Sequence, residues 1–143
     1  TLLKLRENTC DAIGVNLDPS HLWWQGIDPV GAIKILGEAG AIHHFHAKDT
    51  YLDQDNINMY GLLDMQPYGD VKTRAWTFRS VGCGHDVKVW SDMMSALRMY
   101  GYDYVVSIEH EDPLMSIDEG LNRAVTNLQS VLIKETPQDM WWA

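Results

Sequence analysis

Three short segments place side chains of metal-ligand type where an apolar run stops: Asn16-Leu17-Asp18-Pro19-Ser20-His21, His43-His44-Phe45-His46-Ala47-Lys48-Asp49 and Ser107-Ile108-Glu109-His110-Glu111-Asp112. Asp, His and Glu together form a mixed nitrogen and oxygen donor set that suits Mn²⁺, Mg²⁺, Co²⁺ or Zn²⁺, and no Cys stands nearby to form a structural zinc site. Asp18, His46 and Glu109 are the candidate metal ligands. Each has a plain alternative. An Asp before Pro opens turns; His46 is one of three neighbouring histidines, of which His44 shares its strand face and His43 takes the other. Glu109 and Glu111 also share a face. The joint occurrence of the three segments carries more weight than any one of them.

Such residues converge when they sit at the carboxyl ends of parallel strands, where the loops of an α/β barrel or open α/β sheet meet. The runs that precede them, 12–17, 41–45 and 104–108, are short, apolar and partly β-branched, as expected of strands covered by helices on both faces. Between them lie helical patterns. Leu2, Leu3, Leu5 and Cys10 read as the tail of a helix. Asp28-Pro29 supplies an N-cap and a first-turn Pro for a helix with Val30, Ile33, Ile35 and Leu36 on its apolar stripe, closed by Gly37 and Gly40. A helix over 87–100 ends at Gly101. A last helix opens with Ser116 and Glu119 in capping-box spacing and carries Leu121, Ala124, Val125, Leu128, Val131 and Leu132 on one face.

This order requires a parallel sheet with right-handed crossovers, but three strands are too few to close a barrel. The step from Asp18 to His46 is one ordinary βα repeat, whereas that from His46 to Glu109 is roughly two. The excess lies in 51–85, an aperiodic stretch that reads as a lid or substrate loop, with a short helix or hairpin inside it as an alternative.

Composition narrows the function. A chain of 143 residues, 45% hydrophobic with six Trp, has material for one core. A net charge of −9, with no run among the eleven Lys and Arg, argues against a nucleic-acid partner. Two lone cysteines, Cys10 and Cys83, read as free thiols, most simply buried as small hydrophobes, in a reducing compartment. No apolar run reaches the roughly 18 residues of a membrane span. The expectation is a cytoplasmic protein without a membrane partner, whose true amino terminus precedes Thr1.

The quoted motifs, together with Gly14-Val15, Arg79-Ser80-Val81-Gly82-Cys83-Gly84-His85 and Gly101-Tyr102-Asp103, resemble sugar phosphate isomerases/epimerases of the xylose-isomerase-like TIM-barrel superfamily over nearly the whole chain. The resemblance implies the carboxyl-terminal part of a (β/α)8 barrel, about its last three βα units, as one domain over 1–143. It implies a divalent cation, Mn²⁺ foremost, held by Asp18, His46, Glu109 and a first Glu upstream of Thr1. Glu109 becomes one of two glutamates that move a proton beside the carbonyl of a sugar. His21 and Arg79 correspond to substrate-binding residues, with Lys48 and His85 as further candidates; Glu111 is a supporting carboxylate, and Trp23 and Trp24 could wall a sugar pocket. Related barrels dehydrate inososes or eliminate from 3-keto glycosides, and an inactive half-barrel module is the non-enzymatic alternative. Lacking the remaining strands, the chain is expected to associate with itself or with the missing half.

Overall fold

The computed structural model describes residues 1–140 and 142. After α1 (Leu2–Glu7), strand β1 (Val15–Leu17) leads into the short α2 (Pro19–Trp23), then α3 (Pro29–Glu38) and β2 (Ile42–Ala47). The chain continues through β3 (Asp49–Leu52), α4 (Gln54–Tyr60), β4 (Trp76–Arg79), α5 (Val87–Met99), β5 (Val106–Ile108) and α6 (Ile117–Val131). Strands β1, β2 and β5 form a parallel sheet in the order β1-β2-β5, flanked by helices as in part of a TIM barrel.

The starts of the helices follow local chemistry. Asp28 accepts from the backbone N–H of Val30 and Gly31 ahead of Pro29. Asp86 and Ser116 cap α5 and α6 by accepting from Val89 and Glu119. At the far end of α5, Gly101 takes a left-handed φ of 76°, which a side chain rarely tolerates.

Helices cover one face of the sheet, not both. Leu17, Phe45 and Ala47 point toward them and join Ile33, Trp90, Met93 and Leu97 in the core, while Asn16, His44 and His46 face the other way. The strands therefore alternate, as half-buried strands do. Full burial of Phe45, Ile33 or Met93 stabilises by roughly 2–3 kcal/mol each.

Several expected stripes are narrower in the fold. Ile35, Leu121 and Val125 are exposed, and α6 buries only Gly120, Ala124 and Leu128. Periodicity marks an apolar sector, but the neighbour that packs on it sets the buried width. The first and third strands start later than the apolar runs, at Val15 and Val106, with Tyr104 and Val105 exposed. Cys10 is exposed and Cys83 half-buried, so the reading of both as buried hydrophobes fails for Cys10.

The segment 51–85 is built rather than a plain loop. β3 and β4 pair antiparallel, with Asp49 opposite Arg79 and Thr50 opposite Phe78, and α4 lies between them, capped by Asp53. β2 thus runs through Lys48 straight into a hairpin, so Lys48 stands where the chain leaves the parallel sheet.

Candidate metal centre and its surroundings

Asp18 follows β1 and caps α2, and its two oxygens have separate roles. Oδ1 accepts from the Ser20 N–H at 2.9 Å and from the Ser20 hydroxyl at 2.6 Å. Oδ2 is buried with no hydrogen-bond partner. The turn-opening and ligand readings of Asp18 are therefore compatible, one oxygen serving each.

His46 projects from β2 toward the same point. Its Nδ1 lies 3.9 Å from Asp18 Oδ2 and 3.2 Å from Glu109 Oε2, and one donor atom each from Asp18, His46 and Glu109 fall within 4.8 Å of one another. Parallel pairing brings β5 alongside β2, with Ser107 opposite His46, and so delivers Glu109 just beyond the strand end. Of the other histidines, His44 binds the Ser107 hydroxyl at 2.7 Å, and His43 lies on the opposite strand face.

Lys48 fills the space between the carboxylates. Its Nζ is 2.7 Å from Glu111 Oε2, 3.0 Å from Glu109 Oε2 and 3.5 Å from Asp18 Oδ2, and it sits 4.3 Å above the Phe78 ring. Burial works against its charge, but hydrogen bonds to Glu111 and Glu109 and the charge of Asp18 outweigh it and raise the pKa. Burial likewise opposes ionisation of Glu109, and its hydrogen bond to Lys48 prevails and holds its pKa below the ordinary value.

His21, on α2, presents Nε2 3.7 Å from Asp18 Oδ2. Its Nδ1 accepts from the Trp24 indole N–H at 3.4 Å, which assigns the proton to Nε2. The ring meets Phe78 edge-on at 5.1 Å. Trp24 stacks on Trp76, which Arg74 covers with its guanidinium, so these rings pack on one another.

Arg79 and His85 stand apart from this cluster. Arg79 follows Phe78 on β4 and takes the other face, where its Nε donates to Asp112 at 3.0 Å. It borders a cavity of about 100 Å³ with Tyr51, Arg74, Thr77 and Leu114. His85 pairs through Nδ1 with Asp49 Oδ1 at 2.9 Å and stacks on Trp23 at 3.9 Å between ring centroids. Trp23 is buried against Trp90. Among the described residues, the ion pairs of Arg79 and His85 go to Asp112 and Asp49 rather than to the three candidate ligands.

Two buried carboxylates that motif reading passes over anchor this second region. Asp49 accepts from the backbone N–H groups of Thr50, Gly82, Gly84 and His85, from the His85 ring and from the Trp90 indole. Asp112 accepts from Ser80, Leu114 and Arg79. Burial opposes its ionisation, but the N–H donors and the guanidinium prevail, so its pKa is lowered. The signal in the sequence was the glycine pair: a Cβ on Gly84 would come 2.4 Å from the Thr50 backbone, and Gly82 has a φ of 81°.

Comparison with known proteins gives three concordant matches. A family model described as a xylose isomerase-like TIM barrel matches residues 2–130. An uncharacterized protein of Bacillus subtilis (strain 168), YfiH, is 40% identical over 132 residues, which make up 92% of this chain and 42% of that protein. The crystal structure of a xylose isomerase domain protein from Planctomyces limnophilus superposes with a TM-score of 0.64 at 22% identity, covering 91% of this chain and 42% of that one. The chain thus spans less than half the length of the relatives it matches.

Proposed function

The chain belongs to the xylose isomerase-like TIM barrel family, and from that premise we propose that it carries part of the active centre of a divalent-metal-dependent sugar or sugar phosphate isomerase or epimerase. The observation that carries this reading is Asp18 Oδ2, a buried carboxylate oxygen without a hydrogen-bond partner, aimed at a histidine and a second carboxylate. Its neighbours are ionic and distant, with Lys48 Nζ at 3.5 Å and the His21 and His46 nitrogens beyond it, so a buried oxygen accepts no hydrogen bond and has room for a bound cation.

Asp18, His46 and Glu109 would hold the metal, and their oxygen and nitrogen donors suit Mn²⁺ among other divalent ions. Such a cation, when bound, draws electron density from a neighbouring carbonyl and lowers the energy of an enediolate. Glu109, kept ionised by Lys48, would be one of two glutamates that take the proton from the carbon beside the carbonyl and return it, the second being the Glu expected upstream of Thr1. His21 donates from Nε2 to a substrate oxygen, and Lys48 supplies positive charge beside it. Arg79 and His85, anchored on Asp112 and Asp49 outside the three-ligand cluster, are further candidates for contact with the substrate.

The partners in this reading are a small sugar and the chain that covers the edges of β1 and β5, either the remaining strands of the barrel or a second copy. Sedimentation of the isolated chain as a stable monomer contradicts that last statement.

The test is solvent exchange in the full-length protein. Keto sugars and their phosphates are incubated in D₂O with and without a chelator and followed by NMR. Metal-dependent deuterium incorporation beside the carbonyl, abolished in Glu109→Gln, supports the proposal; loss of water or of a leaving group moves the site to dehydration or elimination, and no exchange with any sugar overturns it.

A further inference from the structure

The candidate centre contains a cation of its own. Lys48 is 1% exposed and stands between two paired strands, so the backbone on both sides fixes its position. Its three carboxylate partners come from the ends of β1 and β5, and Phe78 closes the side toward the hairpin. A buried ammonium that moved away would leave both itself and its partners unpaired. Glu109 Oε2 and Asp18 Oδ2, which Lys48 approaches at 3.0 and 3.5 Å, are the oxygens that also approach His46. A metal ion held by the triad would therefore share carboxylate oxygens with the ammonium, and the two cations would repel at short range where water screens them poorly.

The charge balance follows from the residues. Asp18, Glu109 and Glu111 bring three negative charges, and Lys48 cancels one. We propose that Lys48 is a positioning residue that sets the charge of this centre: it holds Glu109 and Glu111 in place and leaves two negative charges, which one divalent cation neutralises and which grip it less tightly than the bare carboxylates would. The proposal rests on the reading of Asp18, His46 and Glu109 as ligands. It adds that affinity for the ion is tuned downward by a neighbour that need not touch it.

The experiment is a titration of the metal-free, full-length protein with Mn²⁺ alone, with free Mn²⁺ followed by electron paramagnetic resonance. Lys48→Met is expected to tighten binding by about tenfold or more, since a full charge a few ångströms from the ion disappears. Glu111→Gln, which removes a negative charge and leaves the ammonium, is expected to loosen it by a similar factor. A lysine that only supported the fold would give weaker binding in Lys48→Met. Equal or weaker binding in that variant, with an unchanged melting transition, overturns the proposal. If Lys48→Met does not fold, Glu111→Gln decides, because its side chain is 47% exposed: looser binding supports the proposal and unchanged binding overturns it. Asp18→Ala separates the two levels. If it binds Mn²⁺ as the wild type does, the ligand assignment has failed and this proposal with it; if it loses Mn²⁺ while Lys48→Met and Glu111→Gln match the wild type, the charge-setting role alone has failed.

Discussion

Asp18 and Asp49 both hold side chains largely withdrawn from water just beyond the ends of neighbouring strands β1 and β2, yet their surroundings differ in kind. Asp49 has both oxygens committed to six donors and holds the loop over 80–85 against the hairpin. Asp18 has one oxygen on Ser20 and keeps the other without a hydrogen bond beside Lys48, His21 and His46. The carboxylate of Asp49 is fully hydrogen-bonded, whereas Asp18 keeps an oxygen whose near neighbours are an ammonium and two imidazoles at 3.5–3.9 Å.

The contrast fails most visibly at Asp49. Asp49→Ala leaves six donors without their acceptor in a closed site and is expected to reduce stability by about 4 kcal/mol or more in urea unfolding. A loss near 1 kcal/mol would mean that the loop is held by other contacts. Gly84→Ala, whose Cβ meets the Thr50 backbone, is expected to lose about 2–3 kcal/mol by the same measurement.

Acid titration sharpens the comparison next. The folded pKa of Asp112 lies below its unfolded value, so its stabilisation is fully present above the ordinary carboxylate range near pH 4. It is lost as pH falls through the lower, folded value. Unfolding free energy should therefore drop on acidification below about pH 4, and Asp112→Asn should flatten that limb. An unchanged limb would place the acid sensitivity elsewhere.

The smallest effect belongs to Asp18. Asp18→Ala removes the α2 cap but also relieves crowding of like charge, so it is expected to lower stability by only about 1 kcal/mol. A loss as large as that of Asp49→Ala would place Asp18 with the architectural carboxylates.

The parallel order and the helix starts were legible because they are written locally. Asp28, Asp86 and Ser116 each cap within three residues, and an apolar run that ends at Asp18, His46 or Glu109 marks a strand end. The hairpin was less legible. Its alternation is split between 49–52 and 76–79, with α4 and an aperiodic stretch between them, so neither half shows a period long enough to read. Lys48 was the least legible. A lysine at a strand end reads equally as a substrate contact or a surface side chain, and only convergence of Asp18, Glu109 and Glu111 from other strands shows it as a buried ion. Arg79 and His85 show the converse, because a motif identifies a side chain's type but not the strand face that Phe78 and Arg79 divide between them.

The central claim is that Asp18, His46 and Glu109 form a divalent metal centre while Asp49 does not take part. Mn²⁺ binding by isothermal titration calorimetry of the full-length protein, its Asp18→Ala variant and its Asp49→Asn variant tests it directly. The account predicts one ion bound by the wild type, loss of that binding in Asp18→Ala with the fold retained, and binding kept by Asp49→Asn in proportion to the folded fraction. Equal Mn²⁺ affinity in the wild type and Asp18→Ala would contradict it.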